Sequence, residues 1–185
     1  IHGYGCNSKY WWAQLGSFSD DYRVISIDIA GHGKSGRNRD DYSMGKFGDD
    51  VVAVMNHANV EQVFLIGHSM GGPVALEAAV KLSNRVKAII GVDTFHNIAR
   101  GPASPFLRLV INTMFRIRQD SSTEDAVEKQ FREDANQILK DWVSDKAETT
   151  DARASRGSLS SIISMDYPSQ LKKIDIPILT LNSKF

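Results

Sequence analysis

The chain has 185 residues, of which 42% are hydrophobic and 24% charged, a profile that fits one globular domain with a sizeable core. Its 22 Lys+Arg balance 22 Asp+Glu, so the net charge gives no footprint for nucleic acid or an acidic membrane, and no apolar run is long enough to span a bilayer. The single cysteine, Cys6, excludes an internal disulfide framework and fits a reducing compartment, with the cytoplasm favoured. The chain opens on Ile1, inside an apolar-then-glycine motif, so its N-terminus is expected to be incomplete and a signal peptide would escape notice.

In chain order, "YRVISIDIAGHG" carries an alternating β-branched run from Val24 to Ile29, then a glycine stop, and reads as a strand. "YSMGKFGDDVVAVMNHA" places Met44, Phe47, Val51, Val54 and Met55 at helical spacing. "EQVFLIGHS" is a second strand, expected to be buried on both faces from Val63 to Ile66. "GGPVALEAAVKL" is a helix whose Pro73 sits in the first turn, where the missing N–H is harmless. "RVKAIIGVD" is a third strand. The alternation of strand and helix predicts a mostly parallel sheet with helices on both faces.

After Asn97 the rhythm changes. "PFLRLVINTMFRIR" bears a helical stripe, and Phe106, Leu107, Met114 and Phe115 could line an apolar pocket, although such a stripe is first of all a packing face. "SSTEDAVEKQFREDANQILKDWV" reads as one helix, with a capping box at Ser121 and Glu124 and with Val127, Phe131, Ile138 and Trp142 on one face. "DKAETTDARASRG" reads as a flexible loop, and "LKKIDIPILTLN" returns to a strand pattern. The division is therefore a core over 1–97, a helical insertion over 98–157 and a return to the core over 158–185.

Three motifs carry chemistry. In "FLIGHSMGG", Gly67, Ser69 and Gly71 form G-x-S-x-G between a strand and a helix. There the chain turns so sharply that bulky neighbours would collide, and the turn lifts the serine hydroxyl to a helix N-terminus. "IHGYG" at the start has the form of a loop leaving a strand, and the backbone N–H of Tyr4 is expected to face a carbonyl beside that of Met70. His2 in that loop is expected to hold it by hydrogen bonds rather than to shuttle protons. "DIAGHGKSG" ends a strand at Asp28. It is no phosphate loop, because no helix starts there and the Walker spacing is absent. No pattern asks for a cofactor or a metal.

In their order and separation, "HGYG", "DIAGHGKSG" and "GHSMGG" resemble an α/β-hydrolase-fold serine hydrolase of the esterase and lipase kind, over residues 1–97 and again at "IDIPILTLN". The resemblance implies that fold, with a helical cap at the insertion, truncated at both ends. It implies Ser69 as nucleophile and Tyr4 and Met70 as oxyanion donors. The substrate would be a small, largely apolar ester, lactone or related acyl compound, hydrolysed through an acyl-enzyme. Serine at the elbow argues against the fold's dehalogenases and epoxide hydrolases, which use aspartate there. Carbon–carbon hydrolases, perhydrolases and aminopeptidases stay open.

In the family the acid follows the strand matching "IPILTLN" and the histidine comes one strand later, so both are expected beyond Phe185. Asp93 and His96 form the alternative pair, although three residues is close spacing for two triad roles. His68 belongs to the elbow and His57 closes a surface helix. Cys6 is expected to be a spectator, and Trp11 and Trp12 are expected to pack the first helix beneath the oxyanion loop. A ligand-binding or signalling protein on the same fold, or an inactive fragment, are the readings of other classes.

Overall fold

The computed structural model describes residues 1–94, 135–147 and 150–183 and, singly, positions 109, 113 and 131. Helix α1 is Trp12–Phe18, entered through a 3-10 turn at Ser8–Trp11 whose Asn7 side chain accepts from Lys9 N. Helix α2 is Met44–His57, with Ser43 as its N-cap. Strand β1, Val63–His68, is followed by helix α3, Gly71–Leu82, and strand β2, Val86–Val92. Helices α4 (Gln137–Ala147), α5 (Ala152–Ser164) and α6 (Tyr167–Leu171) precede strand β3, Ile178–Leu181. The three strands form one parallel sheet in the order β1-β2-β3.

Helix α2 buries Met44, Phe47, Gly48, Val51 and Met55, a stripe that follows directly from their spacing. It packs on α3, whose Val74, Ala75, Leu76, Ala78 and Ala79 are wholly buried. Small residues allow that closeness: a Cβ on Gly48 would stand 2.9 Å from Glu77 Cβ and 3.1 Å from Ala78 N. Helix α3 lies against β1 and β2, and the buried Leu65 and Ile89 share one hydrophobic core with the buried faces of α2 and α3.

The opposite face departs from the expectation of full burial for Val63 to Ile66. Alternation along β1 turns Phe64 outward, where it is about half exposed and meets only the edge of Tyr22 among described rings. Leu179 and Leu181 of β3 are also about half exposed.

Four further expectations change. Val24–Ile29 enters no ladder: the neighbouring main chain of β1 is bonded to Ile1, and the Ile29 N–H is taken by the His2 ring. Of the helix expected from Ser121 through Val143, the described part is helical from Gln137, where Asn136 Oδ1 accepts from Ile138 N at 2.8 Å. Ile138 is exposed and Trp142 instead meets the Tyr10 ring at a tilt of 54°, with 4.8 Å between centroids; Val127 and the capping box lie outside the described residues.

The loop expected over 145–157 is helical at both ends. Asp151 caps α5 through Arg153 N and Ala154 N, and the helix runs unbroken past position 157. Its Ala154 and Ser158 are wholly buried, with Gly157 against Tyr42 and Ala154 against Gly31, so small residues seat it on the core without an apolar stripe to announce it. Trp12 is 70% exposed and so does not pack beneath the loop after Tyr4.

Candidate active site

Ser69 stands between β1 and α3 with φ +49°, in the left-handed region that non-glycine residues avoid. Its main chain is fixed from three directions. Ser69 N donates to Val92 O at 2.9 Å, Gly72 N donates to Ser69 O at 3.0 Å, and Thr94 Oγ1 donates to the same carbonyl at 2.7 Å. The glycines around it make room for main chain and not for the side chain of serine. A Cβ on Gly67 would run into the Gly71 carbonyl and stand 2.6 Å from Gly72 N. One on Gly71 would strike the Ile1 carbonyl and stand 2.8 Å from that of His2. The result is an exposed serine on a buried turn.

The "IHGYG" loop lies against this turn. Ile1 N donates to Ile66 O at 2.7 Å and His68 N donates to Ile1 O at 3.1 Å. A Cβ on Gly3 would come within 3.3 Å of Ser69 Cβ, so Tyr4 follows immediately after the closest approach. Met70, the other expected donor, is buried at the mouth of α3. His2 is buried, and both ring nitrogens are used: Ile29 N donates to Nε2 at 3.2 Å, which leaves Nδ1 protonated to donate to Gly3 O at 2.8 Å. Burial pushes its pKa down to about 3. It is a neutral strut of the loop. His32 is also buried and lies with its ring 5.0 Å from that of His2; burial lowers its pKa, and a bond to Ala30 O offsets part of that.

The second glycine loop is consumed by its own carboxylate. Asp28 accepts from Ser8 N at 2.6 Å and Lys34 N at 2.8 Å. Burial opposes ionisation of Asp28, but these two donors prevail and hold its carboxyl below the ordinary range.

Asp93, at the end of β2, also has a positive φ, +44°. Its Oδ1 accepts from Ser183 N at 2.6 Å and Ser183 Oγ at 2.7 Å, which ties the loop after β3 to the end of β2. His68 is partly buried and its pKa is lowered by that burial, with the Asp93 carboxylate pulling the other way. His96, Phe106, Leu107, Met114 and Phe115 lie outside the described residues. Among the described residues no hydrogen bond joins an imidazole to the Ser69 hydroxyl. Cys6 donates to Tyr4 O at 3.5 Å and burial pushes its thiol up to about 11, far from thiolate character at neutral pH. No cluster of metal-ligating side chains occurs among the described residues, and none of their helices is long and apolar enough to cross a membrane.

Thr94 is the residue that sequence reasoning missed. It is buried, and Gly72 is glycine because Thr94 fills the space a Cβ would need. The signal was a hydroxyl two positions past Val92, readable only once the register pairs His68 with Val92.

The profile of the α/β hydrolase fold family matches residues 1–174. The chain belongs to the α/β hydrolase fold family. It is 27% identical over 179 residues to 3-oxoadipate enol-lactonase 2 of Acinetobacter baylyi, covering 96% of this chain and 66% of that protein. The enol-lactonase of Burkholderia xenovorans superposes with a TM-score of 0.81 at 20% identity, over 98% of this chain and 70% of that one. An esterase of Thermogutta terrifontis superposes with a TM-score of 0.79 at 23% identity, over 98% and 68%. The chain thus spans about two thirds of the length of these relatives.

Proposed function

We propose that the whole protein is a serine hydrolase of small, largely apolar esters or lactones, with Ser69 as nucleophile. The observation that carries this reading is the exposed Ser69 at φ +49°, seated against the Gly3 turn. A strained residue persists only where its surroundings over-determine it, and such residues cluster at sites that use the strain.

Ser69 Oγ attacks the carbonyl carbon while its proton passes to an imidazole, and the carbonyl oxygen becomes an oxyanion. The N–H groups of Tyr4 and Met70 receive that charge, and the N-terminus of α3 adds to it. Collapse of the tetrahedral species expels the alcohol, or opens the lactone ring, and leaves an acyl-Ser69. Water, deprotonated by the same imidazole, then releases the acid and restores the serine. The ring-opening version of this reaction is the one suggested by the two enol-lactonase relatives. His96 with Asp93 is one candidate for the base and acid; the other is the pair that the family's chain order places after the strand corresponding to β3.

The test is made on the natural full-length protein. Ser69→Ala should abolish hydrolysis of short p-nitrophenyl esters and simple lactones, and a fluorophosphonate should label the parent at Ser69 alone. A parent that binds acyl ligands yet leaves Ser69 unlabelled and turns nothing over would instead favour a binding or signalling role.

A further inference from the structure

Ser69 and Met70 share one peptide group. Its carbonyl is Ser69 O and its N–H is that of Met70, so the two are locked in a plane and point opposite ways. Whatever fixes the carbonyl therefore aims the N–H. Gly72 N reaches that carbonyl from inside the turn at 3.0 Å, as in any tight turn. Thr94 Oγ1 reaches it from the neighbouring strand at 2.7 Å and ties it to the sheet.

We propose that Thr94 is a positioning residue: its hydroxyl orients the Ser69–Met70 peptide so that the Met70 N–H faces the developing oxyanion. The proposal rests on the reading of Ser69 as nucleophile. Three observations support it. Thr94 is buried, so its hydroxyl has no bulk water to bond instead. Gly72 clears the volume that the Thr94 side chain occupies, and so the contact is built into α3 as well as into β2. Ser69 N also donates to Val92 O, so nitrogen and carbonyl of the strained residue are both tied to the end of β2. A hydrogen bond to an amide oxygen also polarises the group and strengthens its N–H as a donor. Both effects act on an interaction that strengthens as the oxyanion forms, so they bear on kcat more than on KM.

The variants are Thr94→Val, which keeps the shape and removes the hydroxyl, and Thr94→Ser, which keeps the hydroxyl and removes the methyl. Both are made in the full-length protein beside Ser69→Ala. Thr94→Val should lower kcat on the order of tenfold, a fraction of the 10²–10³ that follows loss of a whole oxyanion donor. KM should change less than about twofold, and fluorophosphonate labelling of Ser69 should slow in step with kcat. Thr94→Ser should recover most of the lost rate. A Thr94→Val protein with undiminished kcat and labelling overturns the proposal, as does a Thr94→Ser protein just as slow, because packing of the methyl would then be the cause. A Ser69→Ala protein as active as its parent removes the nucleophile reading itself. Full dependence on Ser69 with Thr94→Val unaffected removes only the role of Thr94.

Discussion

Two glycine-rich loops, one after the Val24–Ile29 segment and one after β1, use their key side chain in opposite ways. In "DIAGHGKSG" the Asp28 carboxylate turns back into its own loop and is occupied by Ser8 N and Lys34 N, with Gly33 at φ +50° folded against it. In "GHSMGG" every main-chain group of Ser69 is engaged while its side chain is left at the surface. Glycine content alone does not separate a structural turn from a reactive one. What separates them is whether the polar side chain is used up by the turn or held out from it.

Removing each side of this contrast should break a different property. Ser69→Ala in the full-length protein should lower turnover on the order of 10⁶-fold, as expected for a triad nucleophile. Its melting temperature should stay close to that of the parent, because the hydroxyl makes no hydrogen bond among the described residues. Steady-state ester hydrolysis and thermal melting measured on the same preparation check both halves. Retained turnover would put Ser69 in the same structural category as Asp28.

Gly33→Ala is the converse. The added Cβ meets the Asp28 carboxylate at a backbone angle that alanine disfavours. Overpacking and left-handed strain together should lower stability by roughly 2 kcal/mol. Activity per folded molecule should be unchanged below the new melting point. A loss of kcat without a loss of stability would mean that this loop takes part in the chemistry.

Acid should act on the loop that bridges the two turns. His2 is buried neutral against the His32 ring, with Asp28 as the nearby carboxylate, and its pKa in the fold is about 3 against an ordinary 6.5. A histidine depressed in this way stabilises the fold fully above its unfolded pKa. That contribution is lost as pH falls from about 6.5 toward 3, because the unfolded chain then binds the proton that the fold refuses. The slope should approach roughly 1.4 kcal/mol per pH unit for each such histidine. Urea unfolding at pH 7, 6 and 5 measures it, and equal stability at all three would show that these imidazoles protonate freely in place.

Much of this arrangement was legible in the sequence, and the reasons differ by element. Helix α2 was readable because its apolar spacing matches the face it buries; β1 and β2 were readable as strands from their apolar runs, although the run in β1 did not reveal that Phe64 faces outward. The elbow was readable because its glycines are demanded by main-chain collisions, which leave a mark in the sequence. Helix α5 was not, because it packs through Ala154, Ser158 and Gly157, and small residues make a polar-looking helix. The Val24–Ile29 segment has strand composition, yet composition does not say which main chain will lie beside it. Thr94 was invisible for a similar reason: a hydroxyl finds Ser69 O only through the parallel pairing of β1 with β2.

The smallest predicted effect is the most specific to the elbow. Among the described residues, three non-glycine residues have positive φ: Asn59, Ser69 and Asp93. Asn59 follows the C-cap of α2, where Val60 N bonds to Met55 O at 2.9 Å, an ordinary helix ending that asparagine tolerates. Ser69 has no such local excuse, so its Cβ is held in place against a steric preference. In an exposed helix interior, alanine is more stable than glycine by roughly 0.5–1 kcal/mol. Gly16 in α1, where an added Cβ meets nothing within 4 Å, should follow that rule and gain stability on Gly16→Ala. At position 69 the order should reverse, with Ser69→Gly more stable than Ser69→Ala by about 1 kcal/mol, since only glycine sits at φ +49° without a Cβ clash. Both variants lack the hydroxyl, so the difference isolates backbone strain from chemistry. Chemical denaturation of the pair decides it. If alanine were the more stable at both positions, the turn would hold no strain at Ser69, and the conformation would have to be attributed to sequence preference rather than to the clamp from β2.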